Sequence, residues 1–276
     1  MGKASDMAPI QVGWFFLNTL HAVFLFFWSV FWMGAGAVVG MLGQQALGLR
    51  LAHTAWAPGV FWAAGARLDV RGLDKINWKN PHVFVVNHQS MIDIAALQLA
   101  LPTNLRFIAK AELLNVPFMG AYMKGVGMIA IDRGNSAASI LKLEAAAREV
   151  ANGSASVIAF AEGTRSRTGV IQPFKKGAFM LALTAQIPVV PISIEGARKV
   201  LPPDGFKVRP GVIRIDIGEP ISTVGMTAAD RDGLIERAHD AVVAMNVGAG
   251  GLGVGSVEIE FTGGARGASM PAAFRR

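Results

Sequence analysis

The chain reads as an α/β protein: a mostly parallel sheet flanked by helices, preceded by an N-terminal hydrophobic, membrane-associated helical segment. Three features of its 276 residues predict this. From Arg67 onward, short apolar runs alternate with longer segments of helical period, the pattern of strand–helix–strand units. Between Asp6 and Arg50 there is no Lys, Arg, Asp or Glu, and Val12 to Met41 is mostly Phe, Leu, Val, Trp, Ala and Gly. Several apolar runs end directly on a histidine, a cation or a carboxylate, at the edge where α/β sheets keep their binding sites.

Residues 1–66 form the expected membrane-anchoring helical region. The apolar stretch is too long for a signal-peptide core and has no convincing small-residue cleavage site before polar sequence, so it is expected to stay attached and meet the bilayer. Gly34-Ala35-Gly36 leaves two forms open: one crossing helix with close-packing small residues, or two shorter helices joined at a turn. Ala52 to Ala66, with Trp56, Trp62 and Pro58-Gly59, suits a helix lying at the interface; a hydrophobic helical pair docked on the domain is the other reading.

Residues 67–246 form the expected α/β domain. Strands are expected near 82–86, 105–108, 128–131, 156–160, 189–194 and 212–217, and helices near 93–100, 112–124, 136–151, 175–186 and 227–246. Ser136 supplies an N-cap and Gly153 a stop for the third of these helices. Residues 247–276 are expected as a flexible glycine-rich tail. Gly248, Gly250 and Gly253 spell G-x-G-x-x-G, yet they follow a helix and open none, which argues against a dinucleotide site.

Composition narrows the function. The chain has no cysteine, so disulfides, thiolate metal sites and a cysteine acyl-enzyme are excluded. A hydrophobic fraction of 52% points to membrane contact. The net charge of +7 falls mainly between residues 67 and 245 and suits anionic lipid, phosphorylated substrates or an acidic carrier. No nucleic-acid partner is expected, because there is no helix-turn-helix, finger or aromatic-basic ribbon.

The chemistry concentrates in four blocks. Asn87-His88-Gln89-Ser90-Met91-Ile92-Asp93 follows the apolar run Val83 to Val86 and delivers a histidine and a carboxylate to one strand end. His88 can take a proton from a hydroxyl, and Asp93 can fix its tautomer and stabilise the imidazolium, which is a catalytic triad without its serine. Taken alone, the pair also fits a helix-cap histidine and a first-turn carboxylate. In Phe160-Ala161-Glu162-Gly163-Thr164-Arg165-Ser166-Arg167, Gly163 permits close backbone approach, Arg165 offers a planar fork for a phosphate, and Glu162 can accept from a hydroxyl. The plainer reading is a solvated loop with a Glu–Arg pair. Gly127 to Arg133 places Arg133 beyond a third strand, and Lys110 ends a fourth. Val189-Val190-Pro191-Ile192-Ser193-Ile194 carries no reactive group and reads as a buried strand.

These blocks resemble, in order, those of the glycerolipid acyltransferases typified by bacterial 1-acylglycerol-3-phosphate acyltransferase. Residues 87–93 match N-H-x-x-x-x-D, 127–133 match G-x-x-F-I-x-R, 160–166 match F-P-E-G-T-R-S, and Val190-Pro191-Ile192 the fourth block; the resemblance covers roughly residues 70–220. Ala130 stands where that pattern has Phe and Ala161 where it has Pro, changes that touch local packing rather than polar groups. The resemblance implies that His88 is the general base and Asp93 its orienting partner. It further implies that Lys110, Arg133 and Arg165 clamp the acceptor's phosphate, with Glu162 at its glycerol region and Gly163 and Thr164 as further substrate-binding residues. The acyl donor would be acyl-CoA or acyl-carrier protein as co-substrate and the product phosphatidic acid, with no acyl-enzyme, no metal and no cofactor.

Other readings stay on the table. A serine hydrolase lacks a G-x-S-x-G elbow. The acceptor could be another lyso-lipid such as lyso-ornithine lipid, or the protein a catalytically silent membrane lipid-binding protein, which would need neither His88 nor Asp93. Arg50, Arg67, Arg71 and Lys75 follow the apolar region, so the positive-inside tendency places the domain on the cytoplasmic side of the inner membrane.

Overall fold

The computed structural model describes residues 7–132, 136–151 and 155–255. Seven strands form one sheet: β1 (Ala66–Arg71), β2 (Val83–Val86), β3 (Leu105–Lys110), β4 (Ile129–Ile131), β5 (Ser156–Phe160), β6 (Val189–Glu195) and β7 (Gly211–Ile217), in the order β1-β7-β6-β2-β5-β3-β4. β2 to β6 run parallel to one another; β7 is antiparallel to β6 and carries β1 parallel beside it. The C-terminal ends of β6, β2, β5, β3 and β4 therefore line one edge, and that edge carries the polar blocks.

A strand covered by helices on both faces has no reason to alternate polar with apolar residues. β2 shows it: Val83, Phe84, Val85 and Val86 are all fully buried. Phe84 and Val86 join a core with α3 (Ala57–Ala64) and α4 (Ile92–Ala100). Val83 and Val85 join the opposite core with α6 (Ser136–Ala151), α7 (Gly177–Ala185) and α9 (Arg231–Gly248). All six expected strands form. β1 adds a seventh, and the expected 112–124 helix is instead a 3-10 turn at Ala111–Asn115 followed by α5 (Met119–Gly125). Pro117 separates the two, since it disfavours helical geometry at Val116, which lies at φ −79, ψ 123.

The N-terminal region is one helix, α1 (Met7–Met41), passing straight through Gly34-Ala35-Gly36, so the two-helix alternative does not hold there. A turn at Gly43 leads to α2 (Gln45–Leu51), a π-helical turn at Ala52–Trp56, and α3. The segment expected to lie at a membrane interface is docked on the domain. Ala57, Val60, Phe61 and Ala64 are buried in the sheet's core, while Trp62 is 79% exposed. Trp28 Nε1 donates to Trp56 O at 3.0 Å and Trp56 Nε1 to Ser29 Oγ at 3.1 Å, tying α1 to that turn. The change in composition near residue 66 is thus not a break in packing. Along α1, Phe16, Leu20, Phe27 and Phe31 are each 63% to 67% exposed. Gly13–Met41, 29 residues long, spans about 43 Å at the α-helical rise, more than the roughly 30 Å hydrocarbon core of a bilayer.

The glycine run past α9 is also docked in part. Ile171 N donates to Gly253 O at 2.7 Å, and Gly253 N to Asn246 Oδ1 at 3.0 Å. Residues 249–255 therefore lie against the loop after β5, in place of the free tail expected from residue 247; residues 256–276 lie outside the described part.

Small residues let α1 approach α5. A Cβ on Gly40 would sit 2.3 Å from Gly125 O, whereas one on Gly34 would meet nothing within 4 Å. Alanine gains about 1 kcal/mol of helix propensity over glycine at either site. At Gly40 the clash is with backbone and costs roughly 1–3 kcal/mol by overpacking. Gly40→Ala is therefore expected to lower the thermal unfolding temperature and Gly34→Ala to leave it unchanged or raise it; equal behaviour of the two would contradict this packing.

Candidate active site

β2 ends between β5 and β6, so the residues after Val86 must satisfy their polar groups from neighbouring strands. Asn87 does so at both side-chain polar atoms: Nδ2 donates to Ile194 O at 2.9 Å and Oδ1 accepts from Ile194 N at 2.7 Å. Its fully buried side chain acts as one further rung of the β2–β6 ladder. His88 is thereby delivered at a fixed point past the strand.

Asp93 lies in the first turn of α4, where a carboxylate is favoured by the helix N-terminus. Its Oδ2 accepts from Gln89 N at 2.7 Å, Ser90 N at 2.8 Å and His88 Nδ1 at 2.7 Å. Oδ1 is buried with no partner among the described residues. The motif loop is thus wrapped around one carboxylate oxygen. Ser90 Oγ donates to Leu201 O at 2.6 Å, holding the loop from the other side. The His88 ring stacks on Phe160 with centroids 3.8 Å apart and planes 14° from parallel. Its side chain is 12% exposed and that of Asp93 fully buried, so the histidine is the reachable member of the pair. A carboxylate at Nδ1 selects the tautomer with hydrogen on Nδ1 and the lone pair on Nε2.

Glu162 takes a different place from the one its sequence context implied. It is 2% exposed, Oε1 accepts from His88 N at 2.8 Å, and Oε2 accepts from Gln172 N at 2.8 Å. Both oxygens serve the protein backbone, so Glu162 joins the histidine loop to the loop after β5 rather than presenting itself to a glycerol hydroxyl. Burial pushes its carboxyl above the ordinary carboxylate range, and the two backbone N–H groups pull the other way.

The remaining sequence candidates spread along the same edge. Gly163 sits at φ +76, the left-handed conformation that glycine adopts without strain, and Thr164 and Arg165 beyond it are exposed. Arg165 Nη1 donates to Pro203 O at 2.9 Å. Lys110 is exposed at the end of β3, two strands from β2. Arg133 lies outside the described residues. The structure therefore brings His88, Asp93 and Glu162 into one network, keeps Arg165 on the adjacent strand's loop, and sets Lys110 farther along. Phe160, Gln172 and Glu195 also shape the site, and sequence reasoning gave them no role. Glu195 Oε2 accepts from Gln89 Nε2 at 2.9 Å. Their partners are 10 to more than 100 positions away along the chain, so no local spacing signals them.

Glu162→Gln tests the strut. An amide can accept from only one of the two N–H groups and must turn its NH2 toward the other. Leaving a buried donor unsatisfied costs about 1–3 kcal/mol, so a clear fall in thermal stability is expected. An unchanged melting temperature would show that the two contacts do not hold the loops.

Comparison with known proteins matches this arrangement to a family. The Acyltransferase family model matches residues 67–195, which include all four sequence blocks. An uncharacterized acyltransferase of Schizosaccharomyces pombe is 32% identical over 225 residues, covering 81% of this chain and 80% of that protein. Human 1-acyl-sn-glycerol-3-phosphate acyltransferase alpha is 30% identical over 234 residues, covering 84% and 81%. The 1-acyl-sn-glycerol-3-phosphate acyltransferase of Limnanthes douglasii is 33% identical over 184 residues, and the chain spans 65% of its length. In three dimensions, the crystal structure of the 1-acyl-sn-glycerophosphate acyltransferase from Thermotoga maritima superposes with a TM-score of 0.69 at 24% identity, covering 84% of this chain and 94% of that one, a likeness of fold. With relatives at this identity over most of their length, and the histidine–aspartate pair at the sheet edge, the chain belongs to the acyltransferase family.

Proposed function

We propose that the protein transfers an acyl group from a thioester, acyl-CoA or acyl-carrier protein, to the free hydroxyl of 1-acylglycerol-3-phosphate, giving phosphatidic acid. The observation that carries this reading is the 2.7 Å contact between His88 Nδ1 and Asp93 Oδ2, which leaves Nε2 for a substrate hydroxyl. Names of relatives that act on 1-acyl-sn-glycerol-3-phosphate support the choice of acceptor. His88 Nε2 takes the hydroxyl proton as the oxygen attacks the thioester carbonyl. The carbon–sulfur bond then breaks, and the leaving thiolate takes the proton back from the imidazolium. Asp93 supplies the countercharge while the imidazolium exists.

In such an acceptor the phosphate is separated from the reacting oxygen by C2, C3 and an ester oxygen, so it must bind close beside His88. That favours Arg165, on the loop of the adjacent strand, as the main phosphate contact, with Gly163 and Thr164 forming the turn around the glycerol region. Lys110, at the end of β3, would add to the positive field farther along the edge, and the family resemblance assigns Arg133 the same part. The reaction requires no metal or cofactor. We place α1 in the membrane with its exposed phenylalanines against lipid, and the domain on the cytoplasmic side of the inner membrane, following the cations after the apolar region.

His88→Ala is expected to lower acyl transfer by about 10²- to 10⁴-fold, the contribution of a general base, with membrane partitioning retained. Thiol release from acyl-CoA, with and without 1-acylglycerol-3-phosphate, checks it; near-normal turnover would refute the assignment. Asp93→Asn has a milder expectation. Because Oδ1 has no partner among the described residues, the asparagine can keep its oxygen at the Oδ2 position, with all three N–H contacts and the Nδ1–H tautomer. What it loses is the charge, worth about 1.5–3 kcal/mol in a charge-assisted contact, so kcat should fall roughly tenfold to a hundredfold. A loss as deep as that of His88→Ala would contradict that geometry.

Arg165→Ala should raise the apparent KM for the phosphorylated acceptor by about tenfold or more, with Arg165→Lys intermediate because an ammonium lacks the planar fork. An acceptor without phosphate, such as a lyso-ornithine lipid, that is used equally well and suffers no added penalty in Arg165→Ala would overturn the phosphate contact.

A further inference from the structure

The hydrogen bonds that hold His88 close into a ring, and the ring passes through the glycine-rich segment after α9. On one side, His88 N donates to Glu162 Oε1, and Gln172 N donates to Glu162 Oε2, each at 2.8 Å. The neighbouring Ile171 N donates to Gly253 O at 2.7 Å, and Gly253 N donates to Asn246 Oδ1 at 3.0 Å. On the other side, Asn246 Nδ2 reaches Glu195 Oε2 and Ile194 O, both at 3.4 Å. Glu195 Oε2 accepts from Gln89 Nε2 at 2.9 Å, and Ile194 exchanges two hydrogen bonds with Asn87. Asn87 and Gln89 are the residues on either side of His88.

Asn246 is thus the point where the two halves of the ring meet. It is fully buried near the end of a helix whose other buried residues, Leu234, Ala238 and Val242, are apolar, a position where a polar residue is costly unless it is bonded. The segment that follows is shaped to it. Gly251 N donates to Asn246 O at 2.8 Å, and a Cβ on Gly251 would lie 2.2 Å from Asn246 Oδ1. Gly250 and Gly253 take φ of +87 and +57, conformations that side chains disfavour. The glycines are there because the chain must turn back over Asn246 at backbone contact distance.

We infer that Asn246 and the glycine strap 249–253 are positioning elements for His88, setting the histidine loop against the loop after β5. This inference rests on the assignment of His88 as the base. A loop held from both sides keeps Nε2 at the distance that proton transfer requires, and a displacement near 1 Å can cost on the order of 100-fold in rate. The ring's hydrogen bonds end on Asn87, His88 and Gln89, whereas Arg165, the proposed phosphate contact, bonds to Pro203, so the effect is expected to fall on kcat.

The test uses the full-length, membrane-reconstituted protein and thiol release from acyl-CoA with 1-acylglycerol-3-phosphate as acceptor. Gly251→Ala pushes a methyl group into Asn246, and Asn246→Asp places a second carboxylate against Glu195. Both are expected to lower kcat by about tenfold or more, with KM for each substrate within about threefold of wild type. Adding Glu195→Gln to Asn246→Asp should recover part of the loss by removing the facing charge, a coupling that a double-mutant cycle reads directly. Gly248→Ala, in the same glycine run but with nothing within 4 Å of its Cβ, should match wild type. The inference is overturned if Gly251→Ala and Asn246→Asp turn over normally while His88→Ala does not. It is equally overturned if their losses vanish when activity is expressed per folded molecule. Normal turnover in His88→Ala would instead remove the base assignment, and the positioning role with it.

Discussion

Two carboxylates taken out of water govern the architecture of this site. Asp93 is fully buried and Glu162 nearly so, and neither is held by an arginine or lysine in a hydrogen bond or ion pair of the described structure; their principal donors are backbone N–H groups and one imidazole. A buried carboxylate without such donors would be costly enough to change its protonation or unfold the loop around it. The loops at residues 87–93 and 161–172 therefore adopt the conformations that supply them. His88 is placed by both: its backbone N–H serves Glu162 and its ring serves Asp93. The position of the His88 ring thus follows from solvation requirements at two carboxylates.

The same reasoning separates what could be read in the sequence from what could not. β2, β5 and β6 were legible because strands buried on both faces leave continuous apolar runs. β1 was not, since Ala66–Arg71 carries Arg67, Asp69 and Arg71 at an edge of the sheet and is only half-buried. The broken helix near 112–124 carries a signal in Pro117, which disfavours helical geometry at the residue before it. The glycine run after α9 has, by composition alone, the character of a flexible tail. Its glycines instead answer to Asn246, whose closeness is set by the tertiary packing of α9 and leaves no local sequence signal. Likewise His88 and Asp93 are spaced like a catalytic pair, whereas the strut role of Glu162 depends on Gln172 and on a strand neighbour 74 positions earlier.

Attachment to lipid and catalysis share a framework. α1 meets the domain through Gly36 and Gly40 against Tyr122 and Gly125, through the Trp28–Trp56 contact, and through Asn18 Oδ1, which accepts from Val208 N at 2.8 Å. α3 then carries the chain into the same core that α4 occupies, and α4 bears Asp93 in its first turn. The helix with the exposed apolar face is thus continuous in packing with the helix that bears Asp93, the carboxylate bonded to His88. A lipid-borne acceptor held beside α1 would approach a site whose orientation to the membrane is set by side-chain packing rather than by a flexible linker.

The central claim is that Asp93 fixes His88 as the Nδ1–H tautomer, leaving Nε2 as the basic nitrogen. Nitrogen NMR of protein labelled with ¹⁵N-histidine, with the His88 resonances assigned by comparison with His88→Ala, measures this without reference to turnover. In the neutral form of the ring, a proton on Nδ1 is the predicted result. A proton on Nε2, or a ring exchanging freely between both tautomers, would contradict the account.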